Sequence, residues 1–311
     1  MLRFVFGWTI AFCGVLWTSP ALAAVPGSRV TVVVSDEGAA LAAVLDGVHE
    51  AFATAPDLEV REVRLAGDAA TGGAIPGAAV GSSVVLALGP LAADQARQRL
   101  RGRAAVVPLV SCLALKAEAL RSDPSATGVV SEPDPGAVFA LLQRVLPTVQ
   151  TVGVMYSSEA NTAAIEQAHV AAIEAGLGWV ERRIARPQDI PAAMEGMADQ
   201  VDALWSVADP VVYTDQTWRN ILLFSFRSRI PVVGWSADQA EAGALLSTGL
   251  DYTDVGHQCG ELTLRVARGE PVSALPVQAP RALPYVVNLR TADLLGTAID
   301  EEVLGGAARV Y

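Results

Sequence analysis

From about residue 30 onwards, the chain alternates short apolar runs with longer segments whose apolar residues recur at helical spacing. The apolar runs are rich in Val, Leu and Ile, which is typical of strands covered on both faces. This alternation predicts an α/β fold built on parallel sheets. The predicted strands are Val30–Val34, Leu58–Val63, Val84–Leu88, Ala105–Val110, Ala126–Val130, Thr151–Tyr156, Trp179–Ile184, Ala203–Val207, Pro231–Trp235 and Leu245–Thr248.

The segment Ser131–Pro135 interrupts this alternation with the turn-forming sequence SEPDP. It divides the predicted strands into two groups of about five, so we expect two similar Rossmann-like lobes, each with its own sheet. The chain has 311 residues, of which 52% are hydrophobic, and this is ample for two cores.

The first residues predict export. Arg3 precedes the apolar run Phe4–Trp17, and Ala21–Ala23 supplies the small residues of a cleavage site. We therefore predict that residues 1–23 are a cleaved signal peptide and that the protein works in the periplasm.

Two alternatives to cleavage are a membrane anchor and a lipid anchor. The apolar run is shorter than the roughly 20 residues that span a bilayer, and it ends at Ser19-Pro20. Cys13 is preceded by Phe12, whereas a lipidated cysteine needs a small residue before it.

Composition disfavours several functions. The net charge is −11 and no basic run is present, so nucleic acids and anionic membranes are poor partners. The histidines have no metal ligands at suitable spacing, and no cofactor or catalytic motif is present, so we expect neither a metal nor an enzyme. A catalytic site assembled from unlinked residues would leave no such motif.

After signal removal the cysteines are Cys112 and Cys259, and an oxidising compartment permits a bridge that the core does not require.

Several segments together resemble the substrate-binding proteins of ABC transporters, specifically the tryptophan/tyrosine-type family. In chain order they are Ala126–Val130, Leu141–Pro147, Thr151–Asn161, Asp202–Pro210, Ile230–Ser236, Gly243–Tyr252 and Val286–Gly296. The resemblance implies a type I periplasmic binding fold, which captures a small molecule between two lobes and presents it to a membrane permease. We expect a monomer.

In this fold the chain crosses between the lobes three times, through a three-segment hinge. The resemblance therefore implies that lobe one contains residues 24–130 plus 251–284, and that lobe two contains residues 131–250 plus 285–311.

The resemblance also places the ligand at the facing strand ends. The implied residues are Ser35, Asp36, Gly89, Pro90, Ser111 and Cys112 in lobe one, Tyr156, Ser157, Asn161, Asp209, Trp235 and Ser236 in lobe two, and Asp251 at the hinge. Serine hydroxyls can bond a carboxylate or a hydroxyl, Asn161 can donate and accept, and Asp209 would pair with an ammonium. Trp235 would offer a flat apolar wall, whereas Trp179 and Trp218 are predicted to lie in the core or on a helix face. Asp36 and Asp209 have an alternative role as caps of the helices that follow them.

This chain departs from the family pattern in lobe one. Gly89–Ala93 reads GPLAA where the family has Gly-Thr-Pro-Ala-Ala, and Ser111–Leu113 replaces Thr-Asp-Pro. Because these changes make the cleft more apolar, the expected ligand is either amino-acid-like or more apolar or aromatic. Its body would lie on lobe one, with Asp209 and Asn161 at its polar end. The alternative function is a ligand sensor, or a carrier of lipids or hydrophobic ligands, that serves a receptor or a non-import transport system.

Overall fold

The computed structural model describes residues 27–35, 38–65, 81–100, 107–114, 117–157 and 161–311. The predicted signal peptide, residues 1–23, and the candidate site residue Asp36 lie outside these ranges. Within them, no helix combines the length and the apolar character needed to cross a bilayer.

Strands and helices alternate along nearly all of the described chain. The strands are β1 (Arg29–Val34), β2 (Glu59–Arg64), β3 (Val84–Leu88), β4 (Leu109–Ala114), β5 (Ala126–Val130), β6 (Thr151–Tyr156), β7 (Gly178–Arg183), β8 (Ala203–Trp205), β9 (Val232–Gly234), β10 (Leu246–Thr248), β11 (Tyr285–Val287) and β12 (Arg309–Val310). The helices are α1 (Ala39–Phe52), α2 (Pro90–Leu100), α3 (Ala117–Arg121), α4 (Pro135–Val145), α5 (Thr162–Glu174), α6 (Ile190–Glu195), α7 (Asp215–Ser228), α8 (Ala237–Glu241), α9 (Tyr252–Ala267), α10 (Leu289–Leu295) and α11 (Glu301–Gly306).

The strands form two sheets. The first has the order β2-β1-β3-β4-β5 and is parallel throughout, and the second has the order β12-β11-β10-β9-β8-β6-β7. In the second sheet only the β10–β11 pair is antiparallel among the described strands. The predicted α/β fold with two parallel-sheet lobes is confirmed, although the second sheet has seven strands and not about five. The two additional strands, β11 and β12, lie near the C-terminus and have only three and two residues. Their apolar runs are too short to predict a strand.

One predicted strand was misplaced. We predicted Ala105–Val110, whereas β4 runs from Leu109 to Ala114. Pro108 lies inside the predicted strand, and proline cannot donate to the ladder of a central strand, so β4 begins after it. The other predicted strands begin within one residue of the observed ones.

The chain changes sheet at the carboxyl ends of the strands. It leaves the first sheet after Val130, at the end of β5, and leaves the second after Thr248, at the end of β10. It returns through β11, whose first residue, Tyr285, pairs with Thr248. Two of the crossings are bonded to each other, because the Gly249 N–H donates to the Pro284 carbonyl at 2.8 Å. The carboxyl edges of both sheets therefore lie beside the crossings.

Helix α9 follows β10 in sequence but packs against α1 and the first sheet. The two helices approach closely because glycines face the contact. A Cβ atom on Gly47 would overlap the carbonyl of Thr253, and one on Gly256 would overlap the carbonyl of Val44. Any larger residue at either position would force the helices apart.

A disulfide bond also holds α9 to the first sheet. Cys112 in β4 and Cys259 in α9 are fully buried, and their Cα atoms lie 5.9 Å apart although 147 residues separate them in sequence. The sequence permits this disulfide without requiring it, and in the structure it is formed.

Gly256→Ala should destabilise the protein by about 1–3 kcal/mol because the new methyl group meets backbone and not a movable side chain. Gly305→Ala is the matched control, since Gly305 lies in α11 with open space around its Cβ position. Urea unfolding of both variants measures the difference. Equal effects would show that the α1–α9 contact tolerates a side chain.

Replacing both Cys112 and Cys259 by Ala should lower the free energy of unfolding by about 4–5 kcal/mol, because the bridge closes a long loop of the unfolded chain. Urea unfolding with and without dithiothreitol is the measurement. Reductant should destabilise the wild-type protein and have no effect on the double variant. Two results together would contradict this expectation: a wild-type urea midpoint that does not change with dithiothreitol, and a double variant whose urea midpoint equals that of the wild-type protein.

Candidate functional site

A buried carboxylate organises the carboxyl edge of the second sheet. Asp209 follows β8, and only 3% of its surface is exposed. Its Oδ2 accepts from the Ser157 N–H at 2.7 Å, the Ser157 hydroxyl at 2.9 Å and the Asn161 amide at 2.9 Å. Its Oδ1 accepts from the N–H groups of Val211 and Val212, at 2.9 and 3.0 Å. These donors saturate the carboxylate, which has about four lone-pair sites.

The same contacts determine the charge of Asp209. Burial alone would raise the pKa of its carboxyl group, but the N–H groups of Ser157, Val212 and Val211, with the Ser157 hydroxyl, hold the pKa below its ordinary value. Within the described residues, Asp209 forms no ion pair. The edge therefore carries an ionised group that is compensated by dipoles alone.

This geometry corrects one interpretation of Asp209. Asp209 does not cap α7, because Thr214 is the N-cap and accepts from the Thr217 N–H at 3.3 Å. Pairing of Asp209 with a ligand ammonium stays a prediction, and the ammonium would compete with five protein donors for the carboxylate oxygens. Asp209 closes the turn over residues 210–212 and holds Ser157 and Asn161 beside it.

Three aromatic side chains lie at the same edge, and we call them the aromatic triad: Tyr213, Trp218 and Trp235. Their ring centroids are 5.6–6.3 Å apart with interplanar angles of 65–71°. Trp235 directly follows β9, and the Tyr213 hydroxyl donates to the Trp205 carbonyl at the end of β8, at 3.4 Å. All three residues are half-buried.

Only Trp235 of the triad was predicted from sequence. The prediction of Trp218 as a core or helix-face residue is confirmed, since Trp218 lies on α7 and packs against a buried cluster of lobe two, and Tyr213 was missed. Both lie in the β8–α7 connection or the first turns of α7, and position at a strand's carboxyl end is the signal that would have identified them. Burial and the charge of Asp209 raise the pKa of Tyr213, so this phenol stays neutral.

In lobe one the structure brings Ser35, Gly89 and Pro90 together. The Ser35 hydroxyl accepts from the Ala92 N–H at 2.7 Å and so caps α2 from the neighbouring strand. Gly89 has a φ of 87°, and a Cβ there would press on the Ser35 side chain. Glycine is therefore required for this tip to form.

Ser111 and Cys112 lie elsewhere than predicted. Both are inside β4 and fully buried, and the Cys112 sulfur is bonded to Cys259. The misplaced strand caused this error, since β4 extends four residues beyond its predicted end at Val110. The carboxyl end of β4 is formed by Leu113, whose φ of 57° is left-handed, and Ala114.

The remaining predicted residues make structural contacts, and their contact with a ligand stays a prediction. Tyr156 ends β6 and is buried against Ile165, and burial together with Glu181 raises the pKa of its phenol. Ser236 caps α8, and Asp251 caps α9 by accepting from the Asp254 N–H at 3.0 Å. Among the described residues, no three His, Cys, Asp or Glu side chains are grouped as a metal site would require.

Two α/β lobes with polar and aromatic residues at adjoining carboxyl edges define a bilobal ligand-binding protein. The sequence profile of the family described as ABC transporter substrate binding protein matches residues 105–311. The chain belongs to this family. Its members are solute-binding proteins, not enzymes; they act in the periplasm or outside the cell, bind small molecules and typically work with membrane permeases. No curated protein sequence matches the chain.

Three solved structures share the type I periplasmic binding fold with this chain. An ABC domain from Streptococcus pneumonia in complex with L-Trp is 21% identical, with a TM-score of 0.58. A conserved domain protein from Vibrio cholerae is 22% identical, with a TM-score of 0.56. The ligand-free, open form of a substrate binding protein with adhesive properties from Clostridium difficile is 20% identical, with a TM-score of 0.71. Each comparison covers 91% of this chain and 99% of the other.

Asp209→Asn should lower the free energy of unfolding of the ligand-free protein at pH 7 by about 2–4 kcal/mol, because one acceptor oxygen becomes a donor facing other donors. Because folding depresses the pKa of Asp209, its stabilisation is present above the unfolded pKa of about 4 and is lost as the pH falls through the folded value. The deficit of the variant should therefore shrink at pH 3.

The matched control is Asp202→Asn. Asp202 is exposed at the opposite end of β6, where it accepts from the Gln150 and Thr151 N–H groups. Urea unfolding at pH 7 and pH 3 compares the two variants. If Asp209→Asn lowers the free energy of unfolding no more than Asp202→Asn does, Asp209 does not organise this edge.

Proposed function

We propose that this protein is the periplasmic substrate-binding component of an ABC importer and that it captures a small organic ligand reversibly between its lobes. One observation carries the proposal. The Asp209 network and the aromatic triad lie at the carboxyl edge of lobe two, the Ser35–Pro90 tip lies at that of lobe one, and the chain crossings adjoin both.

The cleft favours a ligand with an aromatic or apolar body. The triad offers apolar faces in lobe two, and Pro90 and the 38% exposed Leu91 lie in the first turn of α2 in lobe one. The complex of the pneumococcal relative with L-Trp supports the tryptophan-type specificity that the sequence resemblance implies. The sequence predicts that lobe one receives the body of the ligand, and we propose that the triad in lobe two contributes to that contact.

Binding requires no covalent chemistry in this mechanism. Open and closed forms differ by rotation about the crossings, and a ligand that contacts both lobes favours the closed form. The closed form then presents surfaces of both lobes to the permease. The Gly249–Pro284 hydrogen bond joins two crossings and makes them turn together.

Export to the periplasm agrees with the buried Cys112–Cys259 bridge, since stable disulfides form in oxidising compartments. The predicted signal peptide, residues 1–23, would direct the chain there. We further propose that the mature protein is monomeric.

Tryptophan fluorescence titration with L-Trp and with apolar aromatic compounds should show saturable binding, because Trp218 and Trp235 would contact the ligand. Trp235→Leu should weaken that binding about tenfold. Leu223→Ala is the control, since Leu223 lies exposed on α7 and outside the triad.

Small-angle scattering would report closure as a smaller radius of gyration with ligand. Native mass spectrometry of protein taken from its own periplasm should weigh a retained ligand. If none of the compounds binds, or if none of those that bind reduces the radius of gyration, capture between the lobes is excluded. Loss of uptake of the bound ligand in a deletion strain would support import, whereas unchanged uptake would favour the sensor or carrier alternative.

A further inference from the structure

The bonds around Asp209 determine which way the Ser157 hydroxyl points. The Ser157 oxygen lies 2.9 Å from Asp209 Oδ2, and an ionised carboxylate can only accept. The hydroxyl must therefore donate its hydrogen to Asp209. What remains for a ligand is the oxygen of Ser157, which can only accept.

The orientation of Asn161 follows in the same way. Its Nδ2 lies 3.2 Å from the Ala208 carbonyl oxygen and 2.9 Å from Asp209 Oδ2, and neither partner can donate. The amide nitrogen must face both, so both of its hydrogens are engaged. Within the described residues, the Asn161 Oδ1 has no hydrogen-bond partner.

Two acceptor oxygens, Ser157 Oγ and Asn161 Oδ1, are thus supported by a buried negative charge that no described cation pairs with. The aromatic triad begins four residues beyond Asp209, and the Tyr213 N–H donates to the Asp209 carbonyl at 3.1 Å. Aromatic faces attract cations. This edge therefore favours a ligand group that is positively charged and rich in donors.

Within the described residues, the tip formed by Ser35, Gly89 and Pro90 offers few donors to an anion. Helix N-termini usually bind anions through free N–H groups, but Pro90 has none. The Ala92 N–H is bonded to Ser35, and the Ala93 N–H is bonded to the Gly89 carbonyl at 3.1 Å. In the first turn of α2 only the Leu91 N–H remains for a ligand.

We propose that Ser157 and Asn161 form an ammonium subsite, that Asp209 holds both in an acceptor-only orientation, and that the ligand is an aromatic or apolar amine that needs no carboxylate. The inference rests on the proposed function, because it assigns the ligand class of the same cleft. Asp209 is a positioning residue here and does not touch the ligand. Its role is to set the polarity of the two side chains that do.

The test uses pairs of compounds that share a body and differ in charge: tryptamine with indole-3-propionate, and phenethylamine with 3-phenylpropionate. Isothermal titration calorimetry of the wild-type protein at pH 7 should show that each amine binds at least about tenfold more tightly than its carboxylate partner, as a charge-assisted hydrogen bond requires. L-Trp should bind no more tightly than tryptamine.

Asp209→Asn should reduce the ratio of amine to carboxylate affinity about tenfold or more, because the new amide lets Ser157 and Asn161 turn their hydrogens outward. Asp202→Asn should leave the ratio unchanged. If the role of Asp209 is purely structural, Asp209→Asn should lower the affinities for the amine and for the carboxylate of a pair by the same factor. If Asp209→Asn does not fold, the test uses Ser157→Ala and Asn161→Ala. Each should lower the affinity for the amine about tenfold and leave the affinity for the carboxylate unchanged.

Carboxylates that bind as tightly as their amines, or amines that do not bind at all, would overturn the ammonium subsite. The proposed function fails separately. If a carboxylate binds and scattering shows contraction, capture between lobes stands and the ammonium subsite does not. If no compound of the panel binds, L-Trp included, and native mass spectrometry finds no retained molecule, both fail.

Discussion

An ionised carboxylate can be buried only if protein donors replace the water that it loses, and this requirement governs the ligand edge of lobe two. Asp209 obtains its donors from three stretches of chain: Ser157 after β6, Asn161 at the start of α5, and the turn after Asp209 itself. Satisfying one charge therefore fixes the relative positions of the β6 and β8 tips. The ligand contacts that we infer are a consequence of that arrangement, since side chains that serve Asp209 have only their acceptor oxygens left.

Lobe one meets a different constraint, because part of it is supplied from beyond lobe two. Helix α9 must return across the hinge and seat itself on α1, and glycines allow the backbones of the two helices to approach until they touch. The Cys112–Cys259 bridge then ties α9 to β4. Each lobe is thus held by contacts of its own, and the crossings join the two lobes.

The sequence patterns that repeat were the ones that could be interpreted. Continuous Val- and Leu-rich runs predicted two parallel sheets because strands covered on both faces are nearly continuously apolar. Prediction failed at β4 because the proline at position 108, a local signal, was not used to set the start of the strand. The pairing of Cys112 depends instead on a neighbour distant in sequence, Cys259. The site shows a similar division: Ser157, Asn161 and Trp235 were singled out from their positions after strands, whereas the use of Asp209 as an internal support depends on five donors that no spacing pattern reveals.

The position of Cys259 has a consequence for how the protein forms. The segment of lobe two from α4 to β10 is inserted within lobe one, so lobe one is incomplete until the chain has emerged past α9. Contacts of such high sequence separation slow folding, and a chain of this length with two cores is prone to partly assembled states. The ten strands and helices from α4 to β10 precede α9 without interruption, but β11 and β12, which complete the second sheet, follow it. Both lobes are therefore completed by segments that come after β10 in the chain.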